Sequence, residues 1–331
     1  MGINLRRRDF VTIFVGSAVA WPLAAIAQQP KVMRIAVLMG LADDPEGQAR
    51  VAAFRQGLHD LKWDEGRNVR IDIRWGAGDA SKIKVYASEL VNLAPDVILA
   101  TNTPTARILQ QTTKSIPIVF AGLSDPIGDG IVESLSRPAG NITGFTSFNA
   151  ETGGKWLELL KEIAPATKQA TVIFNPKTAT QAIFLPTMEM VAPRMGVALV
   201  RAEVSDQAGI SAAIGKLAGS PGAGLVLIPD VFLAQNRNMI FALATKAKIP
   251  TVCPVGVFAR DGGLVAYGSN FSDLFREAAT YVDRILKGEK PSNLPVQDPT
   301  KYELVINLKS AKAIDLTVPP SLLSRADEII E

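Results

Sequence analysis

The chain has 331 residues, 47% of them hydrophobic and 20% charged, enough apolar material for large cores and an ordinary balance for an α/β protein. Its net charge of +3 gathers at the start: three of 35 basic and one of 32 acidic residues lie in the first 27, leaving about +1, without the basic excess of a nucleic-acid binder. One cysteine, Cys253, excludes an internal disulfide, and one histidine, His59, argues against a zinc centre or a Ser-His-Asp triad.

The chain opens with Arg6-Arg7-Arg8-Asp9-Phe10-Val11, and no charge follows from Val11 to Ala27, where the run ends in Ala25-Ile26-Ala27. A basic start, a short apolar core and a small-residue ending predict an export signal over residues 1–27, cleaved near Ala27. Arg7-Arg8-x-Phe10-Val11 resembles the twin-arginine export motif, with Arg6 where Ser or Thr is usual. The run of about 17 residues contains Pro22 and is short for a membrane span of roughly 20. No cysteine closes it, so no lipid anchor is expected and the product is predicted to be periplasmic.

Short apolar runs then alternate with helical spacing. Strands are predicted at 32–39, 69–75, 97–100 and 118–121, and helices at 46–63, 81–93 and 104–114. The pattern restarts with strands at 170–174, 197–203, 225–228, 251–252 and 264–267, and helices at 179–195, 206–217, 231–246 and 274–286. This alternation means parallel sheets covered by helices, and two similar runs mean two doubly wound lobes. The Gly- and Pro-rich stretches 137–146, 262–270 and 290–299 (the last before a strand at 303–306) read as three crossings, a three-strand hinge. The expected lobes are 31–145 plus 271–297, and 146–270 plus 298–331.

In parallel α/β sheets ligands bind beyond the carboxyl ends of the strands. The loops there carry Gly40 and Leu41, then Thr101, Asn102 and Thr103, then Ser124 and Asp125. In the second run they carry Asn175, Asp230 and Gly256. The 101–103 loop at a helix start suits a ligand carboxylate, because free amides and the helix dipole converge there, although Thr103 also reads as a plain cap. Asp125 and Asp230 either face a ligand ammonium or cap the helices that follow. Thr101 and Asp125 are expected to serve the ligand with little part in stability. Gly76-Ala77-Gly78 and Gly222-Ala223-Gly224 lack the rest of a dinucleotide or P-loop fingerprint and read as turns, so no cofactor is expected. No catalytic residue and no metal site is predicted, and Cys253 reads as an inert buried thiol.

Several strings together carry a family resemblance. Phe54-Arg55-Gln56-Gly57-Leu58, Gly66-Arg67-Asn68-Val69, Ser124-Asp125-Pro126, Arg137-Pro138-Ala139-Gly140-Asn141-Ile142-Thr143-Gly144 and Pro299-Thr300-Lys301-Tyr302-Glu303 are spread over nearly the whole chain. With them the sequence resembles bacterial ABC-transporter substrate-binding proteins of the tryptophan/tyrosine type, within the periplasmic-binding-protein class I fold. The resemblance implies a periplasmic receptor that hands a small molecule to an inner-membrane ABC permease; it does not fix the ligand, and the expectation is of a monomer that closes on a small amino-acid-like or carboxylate ligand. The resemblance also implies a ligand carboxylate at Thr101-Asn102-Thr103. Two alternatives stay open on the sequence: a secreted carboxylate-dependent hydrolase on the same frame, and a ligand sensor for a membrane kinase.

Overall fold

Strand β1 (Met33–Met39) begins a five-stranded parallel sheet ordered β2-β1-β3-β4-β5. The elements follow as α1 (Pro45–Asp60), β2 (Val69–Trp75), α2 (Ala80–Asn92), β3 (Val97–Ala100), α3 (Thr103–Thr112), β4 (Ile118–Leu123) and β5 (Ile142–Thr146). This is a computed structural model that describes residues 31–177 and 181–331. The expected export signal at 1–27 lies outside the described residues. Strand β3 is wholly buried, as its unbroken apolar run requires when helices cover both faces. Edge strand β2 is mostly half-buried.

The second sheet has seven strands, ordered β12-β11-β10-β9-β8-β6-β7. Its elements run α4 (Glu151–Ile163), β6 (Gln169–Phe174), α5 (Gln181–Val191), β7 (Ala198–Glu203), α6 (Gln207–Leu217), β8 (Ala223–Leu227), α7 (Val231–Lys246), β9 (Thr251–Cys253), α8 (Gly256–Arg260) and β10 (Val265–Ser269). The chain then returns to the first sheet for α9 (Phe271–Leu286). It ends on the second with β11 (Tyr302–Asn307), α10 (Leu308–Ala313), α11 (Pro320–Leu323) and β12 (Glu328–Ile330). Five strands of each sheet share one winding order. The second sheet is not parallel throughout, because β11 pairs antiparallel to β10. The helix expected over 179–195 is shorter: a 3-10 turn at Ala192–Met195 carries Pro193, which has no amide to continue the α-helical ladder.

Helix α9 explains how 271–286 joins the first sheet although it follows the second. Leu274, Phe275, Ala278, Tyr281, Val282 and Ile285 form its buried stripe and share a core with Ile35, Val37, Phe54 and Leu99. It packs tightly on α1 at Gly57, where a Cβ would sit 2.7 Å from Arg276 O and 2.9 Å from Ala279 Cβ. The second sheet buries a separate aromatic cluster of Phe148, Trp156 and Phe184.

The chain passes between the sheets at 146–151, 269–271 and 297–302, and these segments bond to one another. Thr146 N donates to Gln297 O at 2.8 Å, and Thr146 Oγ1 to Asp298 Oδ1 at 2.7 Å. Ser269 Oγ donates to Ser147 O, and Asn270 N to Lys301 O at 3.2 Å. Residues 32–331 form one compact unit, so the two sheets sit against each other across these crossings.

Candidate functional site

The carboxyl ends of the two sheets face each other. Gly78 follows β2, and Gln235 lies in the first turns of α7, which follows β8. A Cβ on Gly78 would lie 3.2 Å from Gln235 Nε2. Nearer the crossings, Glu303 of β11 acts electrostatically on Arg50 of α1, and Glu46 of α1 on Arg260 of α8. The space between is bounded by strand-end loops of both sheets, the position that parallel α/β folds use for ligands.

On the first sheet the structure draws Gly40, Thr101 and Asn102 together. Gly40 N donates to Thr101 Oγ1 at 2.8 Å, and Thr101 Oγ1 donates to Leu38 O at 3.3 Å. The Thr101 side chain is therefore a brace between β1 and β3, which departs from its expected service to a ligand. Asn102 is the true cap of α3: its Oδ1 accepts from Thr105 N at 3.1 Å, and Thr105 Oγ1 accepts from Asn102 N at 3.1 Å. Thr103, expected as cap or ligand donor, is the first helical residue, and its hydroxyl donates to Asp129 Oδ2 at 3.0 Å. Pro104 has no amide and the Thr105 amide is taken, so the Thr103 amide remains at the positive end of this helix. Leu41 is half-buried against the first core.

Ser124 points into the crossing, 3.4 Å from Ser147 Oγ. The Asp125 Oδ1 accepts from Gly128 N at 2.7 Å and holds the turn that follows it. On the second sheet Asn175 and Asp230 meet. Asp230 Oδ2 accepts from Asn175 N and Oδ1 from Phe232 N, both at 2.7 Å, so the carboxylate ties β6 to the start of α7. Asp230 caps α7, as one of its two expected roles had it; the element after Asp125 is β5 and not a helix, so Asp125 holds a turn instead. Asn175 Oδ1 in turn accepts from Lys177 N at 3.0 Å. Thr178 and Ala179, which continue this loop, lie outside the described residues. Gly256 opens α8, and a Cβ there would fall 2.4 Å from Glu303 Oε1.

Three positions near the facing strand ends had no sequence signal of their own. Arg50 reads as one more polar helix residue, yet it is buried, donates to Glu46 Oε1 from Nε and Nη2, and lies 4.0 Å over the Phe271 ring. Burial works against its charge, while Glu46, Asp44 and Glu303 favour it. Glu303 accepts from Asn270 Nδ2 at 3.0 Å. Burial pushes its carboxyl above the usual range, and the pull of Arg260 offsets this only in part. Gln235 matters only because Gly78 faces it. Cys253 is fully buried, and burial raises its thiol pKa far above the ordinary value. Among the described residues no group of three or more His, Cys, Asp or Glu is placed to hold a metal ion. Nor, among them, is any helix long and apolar enough to cross a membrane.

Comparison with known proteins agrees with this geometry. The family model for ABC transporter substrate binding proteins matches residues 34–330. A tyrosine-binding protein from Clostridioides difficile (strain R20291) is 26% identical over 277 residues, covering 83% of this chain and 79% of that protein. A conserved domain protein from Vibrio cholerae superposes with a TM-score of 0.81 at 28% identity, over 90% of this chain and all of that one. The ligand-free, open structure of a substrate-binding protein with adhesive properties from Clostridium difficile gives 0.74 at 25% identity, over 90% and 99%. A Streptococcus pneumonia ABC domain solved with L-Trp shares the fold at 0.81 and 24% identity, over 90% and 99%. The chain belongs to the ABC transporter substrate-binding proteins.

Proposed function

We propose that this substrate-binding protein captures a small amino-acid-like ligand between its lobes and delivers it to an inner-membrane ABC permease for import. The lobes are 31–145 plus 271–297 and 146–270 plus 298–331, and the three crossings between them act as the hinge. The observation that carries the reading is the facing of two sets of strand ends, with the bonded crossings along one side. A ligand held by both sets stabilises the closed arrangement by its contacts to each. The ligand carboxylate goes to the start of α3, at Asn102 and Thr103. Gly40, Leu41 and Ser124 shape that jaw, and Asn175 and Gly256 shape the other. Thr101, Asp125 and Asp230 hold the loops in place through backbone hydrogen bonds.

The tyrosine-binding relative supports the amino-acid class. The signal-like residues 1–27, with Arg7-Arg8-x-Phe10-Val11, support export to the periplasm. Micromolar affinity, about −8 kcal/mol, suffices for scavenging. The test is a thermal-shift screen of protein lacking residues 1–27 against L-tyrosine, L-tryptophan, the other amino acids, small organic acids and a neutral polyol. A ligand that binds the folded state raises the melting temperature by mass action. A shift from amino acids supports the reading, and a shift from the polyol alone sinks it. Loss of labelled amino-acid uptake on deleting the gene tests the import step.

A further inference from the structure

An amino-acid ligand brings an ammonium group, and both aspartates expected to meet it are engaged elsewhere. Asp125 accepts from Gly128 N, and Asp230 from Asn175 N and Phe232 N. The orientation of each carboxylate is therefore set by the loop it holds.

Glu303 is in a different situation. It sits at the start of β11, which runs antiparallel to β10, so it lies beside the carboxyl ends of β9 and β10. Its Oε2 accepts from the neutral amide of Asn270 at 3.0 Å. Among the described residues it belongs to no ion pair. The two arginines that act on it or that it acts on are paired with others, Arg260 with Glu328 and Arg50 with Glu46. Its Oε1 packs directly on Gly256: a Cβ there would lie 2.4 Å from that oxygen and 3.1 Å from Val305 Cγ2, so the carboxylate fits at this place because position 256 has no side chain. A half-buried carboxylate without its own cation is costly, and an arriving ammonium offsets that cost.

We propose that Glu303, oriented by Asn270 and given room by Gly256, receives the primary ammonium of an α-amino-acid ligand at the hinge side of the cleft. This rests on the amino-acid reading above. Its consequence is mechanical. The α3 start belongs to the first sheet and Glu303 to the second, so a zwitterion spans the jaws with its two charges.

The test is calorimetric titration of the wild-type protein and Glu303→Gln with L-tyrosine and with 3-(4-hydroxyphenyl)propionate, which is the same molecule without its amino group. Gln preserves the volume and the bond from Asn270, and melting curves of the unliganded variant check its fold. The expected result is a loss of about tenfold or more in L-tyrosine affinity with a change under about twofold for the analogue. Equal losses for both, or none for L-tyrosine, overturn the role of Glu303 and leave the cleft reading standing. Wild-type protein that binds myo-inositol and neither tyrosine compound overturns both.

Discussion

Gly40 and Asn102 compete for one space at the end of the first sheet: a Cβ on Gly40 would fall 1.9 Å from Asn102 Nδ2. The Asn102 side chain both caps α3 and fills the space that a side chain at position 40 would need. Gly40→Ala is expected to displace it, breaking the capping box and lowering stability by about 1–3 kcal/mol. Ligand affinity should fall as well, because the α3 start loses its shape. Chemical denaturation and calorimetry check this pair of effects, and unchanged values for both would show that Asn102 finds another rotamer at no cost.

Thr101 stabilises the sheet through its hydroxyl. Removing that hydroxyl leaves the buried Gly40 amide without its 2.8 Å acceptor. Thr101→Val is expected to cost about 1–3 kcal/mol of stability, and Thr101→Ser to restore most of it. Urea unfolding of the two variants decides the matter; equal midpoints for Val and wild type would return Thr101 to the ligand.

Gln235 meets Gly78 where the jaws come together on the side away from the crossings. A bulky indole there should hold them apart. Gln235→Trp is expected to weaken ligand affinity by about tenfold or more while the unliganded melting temperature stays near wild type, since Gln235 is exposed. Solution scattering should show a smaller contraction on adding ligand. An unaltered contraction and affinity would mean that closure does not use this contact.

Glu303 gives a pH dependence whose sign follows from burial. Its folded carboxyl lies above the usual value, with Arg260 pulling it down and Glu328, Glu46 and Asp327 pushing it up. The native state therefore holds the proton more tightly than the unfolded chain. This contribution to stability is greatest below the unfolded pKa and is lost as pH rises through the interval up to the folded one. Glu303→Gln is expected to flatten that decline and to melt at or above wild type at neutral pH without ligand. Ligand affinity in wild type should rise with pH through the same interval, because the ammonium prefers the ionised carboxylate. Melting curves taken from about pH 3.5 to 7.5 check the sign, and parallel slopes for both proteins would remove Glu303 from the linkage.

The elements that depend on local period were readable. The unbroken run 97–100 is a strand covered on both faces, and the stripe from Leu274 to Ile285 is a helix packed on one side. Boundaries moved where a single residue interrupts the ladder, as Pro193 does. The antiparallel turn of β11 was not readable, because nothing in Tyr302–Asn307 states which neighbour it meets or in which direction. Arg50 and Glu303 were missed for a related reason. A charged residue in a helix or strand reads as solvated until distant segments of the chain pack against it, as Phe271 does on Arg50 and Gly256 does on Glu303.

Local chemistry, which acts over a few residues, determined the two runs of strands and helices, the turn-rich crossings and the loops at strand ends where a ligand belongs. Tertiary structure alone decided which polar groups in those loops are available to that ligand. Asn175 and Asp230 are 55 residues apart, and Gly40 and Thr101 are 61 apart, yet each pair shares a hydrogen bond. A hydroxyl or carboxylate in a buried loop bonds to whatever backbone amide the fold sets beside it. That neighbour is chosen by the packing of distant segments, which no local pattern encodes.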